Sequence, residues 1–214
     1  MLFTDSMEPM AILGLVMAVW IVVMHGFELY QRATHRHTFM KGLGKLGRSH
    51  WAMMLGHIGL AVSVIGMTLV SNYDIERDVR LAPGETIQVQ GYDFNFAGLR
   101  DADGPNYDGY IADFNITRNG KHETTLHAEK RFYTTAGSMM TEAAIDSGVT
   151  RDLYVAMGEK LGDGAWAVRI YFKPFVNWIW FGSVLMALGG AFAISDKRYR
   201  FRKKAKIGNT KSAK

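Results

Sequence analysis

The chain has 214 residues, 21% of them charged, with a mean hydropathy near zero and a formal net charge of +5. It contains no cysteine, which excludes disulfides, thiolate metal sites and cysteine nucleophiles. Those averages conceal a segregation, because the charges sit in blocks between uncharged runs suited to a different solvent.

The first such run is Met10 to Phe27, MAILGLVMAVWIVVMHGF, and it predicts a membrane-spanning helix over about residues 10–30. No basic stretch precedes it, and Asp5 and Glu8 stand there instead. A cleaved signal peptide is therefore not expected, and the run should remain as a span. His25 lies near its carboxy end, where it reads either as an interfacial residue, solvated or bonded to a neighbouring carbonyl, or, if the first two spans pack antiparallel, as lying at the depth of His57 in a shared site.

Residues 31–50 follow with Arg32, Arg36, Lys41, Lys45 and Arg48 and no acid, which places this loop in the cytoplasm. Gly42, Gly44 and Gly47 predict a flexible loop, and GLGKLG lacks the full phosphate-cradling pattern. His35 and His37 read as part of a solvated basic turn. His50 closes the loop seven residues before His57, roughly on the same helical face, either as an interface anchor or as a guard for a bound group.

The second run, Trp51 to Val70, is free of Asp, Glu, Lys and Arg and would cross a hydrocarbon core of about 30 Å at about 1.5 Å per residue. Its one ionisable residue is His57, and an imidazole at that depth faces protein, water or a cofactor rather than lipid. A plain interhelical hydrogen bond is the competing reading. Gly56, Gly59, Ala61, Ser63 and Gly66 allow a neighbouring helix, or a flat macrocycle, to approach the backbone closely. Met53, Met54 and Met67 suit adaptable packing.

Residues 72–173 carry eleven basic and sixteen acidic residues, so this segment lies on the other side of the membrane, with the amino terminus. It reads as a compact all-β domain, a small barrel or sandwich. Strands are expected over Asp74–Leu81, Thr86–Val89, Tyr92–Leu99, Tyr110–Arg118, Lys121–Glu129 and Trp166–Phe172, with Asn119-Gly120 forming a type I′ hairpin turn. Tyr92, Phe94 and Phe96 share one face, as do Trp166, Val168, Ile170 and Phe172. His122 and His127, five apart on one strand, should fall on opposite faces, which argues against a shared metal. Glu142, Asp146 and Asp152 read as surface acids rather than an acid–base pair. No GxSxG or HExxH signature appears, so the catalytic residues stay unassigned.

The third run, Phe175 to Ile194, predicts a span over 174–195, and the tail 196–214 holds nine Lys or Arg against one Asp. The tail is expected in the cytoplasm on anionic lipid. With aromatics only at Tyr199 and Phe201, it does not read as a nucleic-acid arm. The expected architecture is an integral membrane α-helical protein with three transmembrane helices. An all-β extracytoplasmic domain is inserted between helices 2 and 3, so that 1–71, 72–173, 174–195 and 196–214 form successive segments.

Several long stretches are specific enough to name a family. SNYDIERDVRLAPGETI, GPNYDGY, AEKRFYTTAGSMMTEAAIDSGVTRDLYVAMGE, GAWAVRIYFKPFVNWIW and the earlier LGHIGLAV together resemble the carboxy-terminal region of the CcmF family, from about His50 to Tyr199. These are haem lyase subunits of cytochrome c maturation.

The resemblance implies a place in the bacterial inner membrane, with residues 72–173 in the periplasm. It also implies a role in attaching haem to CxxCH motifs of apocytochrome c, with haem arriving on CcmE and with CcmH and CcmI as partners. His57 matches the family's transmembrane ligand of a b-type haem, so the resemblance gives it the haem iron, with the second axial ligand from outside this chain. Quinol is the implied electron donor. The family's tryptophan-rich WWD segment has no counterpart here, which implies a carboxy-terminal fragment or one subunit of a split lyase, not active without that region. The alternative is a membrane-anchored docking module for CcmH, CcmI or apocytochrome c without haem of its own.

Overall fold

A computed structural model describes residues 8–35 and 38–195. Asp5, Arg36, His37 and the basic tail with Tyr199 and Phe201 lie outside the described residues. Two compact units are present, one of residues 1–72 with 178–214, the other of residues 73–177.

The first unit holds α1 (Pro9–Thr34), α2 (Phe39–Leu43), α3 (Arg48–Tyr73) and most of α4 (Val176–Ser195). Three of these, α1, α3 and α4, are long and apolar enough to cross a membrane. Pro9 starts α1 at a position whose N–H has no intrahelical partner in any case. The loop expected between the first two spans contains the short helix α2. Its Gly42 lies against α1 so closely that a β-carbon there would come within 1.9 Å of the Ala33 carbonyl oxygen, so this glycine serves contact rather than flexibility.

Helices α3 and α4 meet along small residues. A β-carbon on Gly59 would come 2.6 Å from the Gly182 carbonyl oxygen, and one on Gly189 would come 2.8 Å from that of Ala52. In hydrocarbon, where apolar burial drives little association, such backbone approach supplies the van der Waals contact. The Ser63 hydroxyl adds a hydrogen bond to the Ile179 carbonyl at 3.2 Å. On the α1 side, Gly14 lies against Thr68 and Val64 while His25 lies against His57, so α1 and α3 are antiparallel neighbours.

The second unit is a sandwich of two antiparallel sheets. One sheet runs β1 (Ile75–Leu81), β9 (Trp166–Pro174), β8 (Arg151–Lys160), β7 (Ala144–Ser147). The other runs β2 (Thr86–Val89), β3 (Tyr92–Asp103), β4 (Tyr107–Arg118), β5 (Lys121–Tyr133), β6 (Ser138–Glu142). Alternating side chains meet between the sheets, with Phe94, Phe96, Phe114, Ile116, Leu153, Val155, Val168 and Ile170 almost fully buried. Phe96 and Phe114 stack at 4.9 Å. Tyr92 ties the sheets together. Arg118 of β4 and Arg151 of β8 each donate to its hydroxyl, at 3.1 and 3.2 Å, and each lies over its ring. Asn119 and Gly120 have φ of 51° and 74°, the left-handed values a type I′ turn demands.

Two expectations for this unit are corrected. A bulge in β5 sets Thr117 opposite His122 and Asp113 opposite His127, so the two histidines share the outer face instead of dividing between faces. They are still four paired positions apart, about 13 Å along the strand, too far for one metal. Asp152 is not a surface acid but is 2% exposed, accepting from the Gly148 amide and from the Asn177 amide group, each at 3.1 Å.

Candidate functional site

The antiparallel course of α1 and α3 brings His25 and His57 together. Their rings lie 4.6 Å apart between centroids, tilted by 32°. Each is tied to its own helix in the same way. Nδ1 of His57 donates to the Met53 carbonyl at 2.9 Å, and Nδ1 of His25 to the Ile21 carbonyl at 2.8 Å. With Nδ1 carrying the proton, Nε2 of each ring keeps its lone pair, the tautomer a metal ligand needs.

The pair is asymmetric in burial. His57 is exposed at the surface of the helical unit, whereas His25 is half-buried beside it. His57 lies in an uncharged stretch of an apolar helix, with Met53 and Leu60 exposed near it. An imidazole open to hydrocarbon would be costly.

His50 does not share that opening. It is buried, set edge-on to Trp51 at 6.5 Å, with its Nε2 lacking a hydrogen-bond partner among the described residues. Seven residues bring it to roughly the same side of the helix axis, yet His50 packs inward while His57 faces out. Among the described residues no group of three or more His, Asp or Glu side chains could hold a metal ion. Sequence reasoning allowed a meeting of His25 and His57 without asserting it, because the crossing position of α1 on α3 is set by Gly14 against Thr68, which no motif announces.

Comparison with known proteins decides the family. The family model described as the CcmF C-terminal beta-sandwich matches residues 72–174, the strands of the second unit. The chain is 52% identical over 197 residues, 92% of its length, to the cytochrome c-type biogenesis protein CcmF of Haemophilus influenzae, and 49% identical over 203 residues, 94% of its length, to that of Escherichia coli. The chain belongs to the CcmF family. It spans about 30% of the length of those CcmF relatives. Among solved structures, the cytochrome c haem lyase CcmF superposes with a TM-score of 0.63 at 16% identity, over 91% of this chain and 36% of that one, which shows a shared fold. As a CcmF-family chain with three apolar helices of spanning length, it is a multi-pass membrane protein.

Proposed function

We propose that this chain is the carboxy-terminal part, or a split subunit, of a CcmF-type haem lyase, and that His57 is an axial ligand of its b-type haem. The observation that carries the reading is the state of His57: its Nδ1 proton is committed to the Met53 carbonyl, and the residue lies exposed on a charge-free span. Ligating histidines commonly donate their other ring N–H to a carbonyl in this manner, which fixes tautomer and ring angle. A bis-histidine b-haem supplies one-electron transfer without an open coordination position.

His25 does not fit as the opposite ligand. An iron held at about 2 Å from a nitrogen of each ring would part the ring centres to roughly 6 Å, against the 4.6 Å found here. The second ligand then comes from outside this chain, and His25 backs His57 from the side of α1. In this reading the helical unit sits in the bacterial inner membrane with residues 72–173 in the periplasm. The β-sandwich docks CcmH, CcmI or apocytochrome c, while haem arrives on CcmE. Quinol is the proposed reductant.

The test is made on the assembled lyase. His57→Ala should remove or weaken the reduced b-haem absorption while the complex still assembles, and free imidazole should restore it in His57→Gly. His25→Ala should keep the absorption with a shifted band shape. Loss of assembly with the haem spectrum intact in His57→Ala would instead leave the chain as a docking module without haem of its own.

A further inference from the structure

Both chain connections of the sandwich leave from one of its ends. Asp74 alone separates α3 from β1, and Phe175 alone separates β9 from α4. One residue extends a chain by at most about 3.6 Å, so the end that holds Ile75 and Pro174 stays at the headgroup layer of any bilayer that α3 and α4 cross. Arg151 lies opposite Pro174 at this end, and Tyr92 meets both Arg151 and the Phe172 ring. Tyr92 in turn lies opposite Arg118, which brings the Asn119-Gly120 hairpin to the same place.

Here the gap between the two sheets opens over Tyr92, whose hydroxyl accepts from both arginines. Lys121 stands directly opposite Arg118 across the hairpin and so falls on the same face. Arg151 is paired with Asp146. Arg118 and Lys121, both exposed, have no carboxylate partner among the described residues. Like charges directly opposite one another destabilise a strand pair, a cost that an anion between them offsets. Beside them, Val149 in the β7–β8 turn is 76% exposed. The far end of the sandwich has the opposite character, with Glu85, Asp103, Asp108 and Asp163 against Lys160 at its turns and strand ends.

We propose that this end of the sandwich is a headgroup site for an anionic phospholipid. The phosphodiester sits between Arg118 and Lys121, whose guanidinium and ammonium groups give it charge-assisted hydrogen bonds. Val149 enters the boundary between headgroups and acyl chains. A lipid is the occupant because the two one-residue connections hold this end among phosphates, whereas a dissolved anion would have to be captured from water. The charge distribution agrees, with unpaired cations toward the connections and carboxylates away from them. The proposal is independent of the haem ligand at His57.

The experiment uses the full chain in phosphatidylcholine nanodiscs made with and without phosphatidylglycerol. Amide exchange over residues 118–121 and 148–151 should slow in the anionic discs, with residues 103–108 unchanged as an internal control of the fold. In neutral detergent, calorimetric titration with dihexanoyl-phosphatidylglycerol should saturate where dihexanoyl-phosphatidylcholine does not. Lys121→Gln should weaken that binding about fivefold, the effect of one cation near an anionic headgroup. Its side chain makes no hydrogen bond among the described residues, so this variant leaves the Tyr92 contacts intact. Arg118→Gln combined with Lys121→Gln should weaken it further. Equal exchange in both kinds of disc, equal heats from the two lipids, or unchanged affinity in Lys121→Gln would overturn the proposal. So would displacement of the lipid by an equal concentration of inorganic phosphate, which would make this a free-phosphate site. Slowed exchange only in discs holding two chains would overturn it too, with a second copy as the occupant.

Discussion

Gly59 on α3 and Gly182 on α4 touch backbone to backbone: a β-carbon on Gly182 would come 2.4 Å from the Gly59 carbonyl oxygen. The Ser63 hydroxyl beside it can turn away, but the Gly59 carbonyl and the Ser63 amide nitrogen are backbone, so the helices themselves must part to admit one. Gly182→Val is therefore expected to separate α3 from α4 and strip the Ser63–Ile179 hydrogen bond. A melting temperature in detergent well below that of a Gly190→Ala control would show it, since nothing lies within 4 Å of the Gly190 position.

Tyr92 holds two arginines through its hydroxyl as well as its ring, and the two act differently on substitution. Tyr92→Phe keeps the ring contact but leaves two guanidinium groups without that acceptor, at a cost of about 1–2 kcal/mol. Residues 73–177, expressed alone, are expected to be soluble and to unfold cooperatively, because the buried cluster is drawn wholly from them. Urea unfolding of that fragment, followed by tryptophan fluorescence, should place the variant's midpoint below the parent's. An insoluble fragment would count against an independent sandwich.

Asp152→Ala should be more damaging than its place in a polar turn suggests. It would leave the Gly148 amide and the Asn177 side chain with one acceptor fewer in a buried setting, for about 2–3 kcal/mol. Asp152→Asn keeps an oxygen there and should recover part of the loss. The same urea titration distinguishes the two, and equal midpoints would show the hydrogen bonds to be inert.

Acid should weaken the outer face of β4 and β5. Burial pushes the Asp113 carboxyl up, but hydrogen bonds from His127 and Arg100 outweigh it and hold the group below its ordinary value. A carboxylate depressed in the folded state contributes stability that is full above its unfolded pKa of about 3.9 and is lost as pH falls through the folded value. Asp113→Asn should therefore shrink the stability difference between pH 6 and pH 3, by less than about 1 kcal/mol given its partial exposure. The denaturation midpoint at those two pH values is the measurement.

The basic residues of 31–50 and of the tail set the expected orientation. Reporter fusions after residue 40 and after residue 205 should read cytoplasmic and one near residue 120 extracytoplasmic. A cytoplasmic signal at 120 would invert the arrangement.

The helices were legible because an uncharged run of about twenty residues has few other uses. The strands around Phe94, Phe96, Val168 and Ile170 were legible from strict alternation over one buried face. β6, β7 and β8 do not stand out as strands in the sequence. SMMTE is exposed on both sides and so has no alternation to read, and AIDS is four residues long. The bulge at the start of β5 was hidden too, since one extra residue reverses the facing of His122 without leaving a mark in the sequence. At the candidate site, His57 stood out as a lone imidazole in an apolar run, whereas the part played by His25 and the burial of Asp152 are set by packing partners far along the chain.

The pairing of β1 with β9 has a mechanical consequence. Ile75 lies opposite Phe172, so the first and last strands of the sandwich begin and finish at the same end of one ladder. Tension applied between those two residues loads the hydrogen bonds one after another, from Ile75 toward Leu81, instead of shearing them all together. The sandwich therefore offers little resistance to pulling along that line and peels open from the Ile75 end, with the β2–β6 sheet the last part to feel the load.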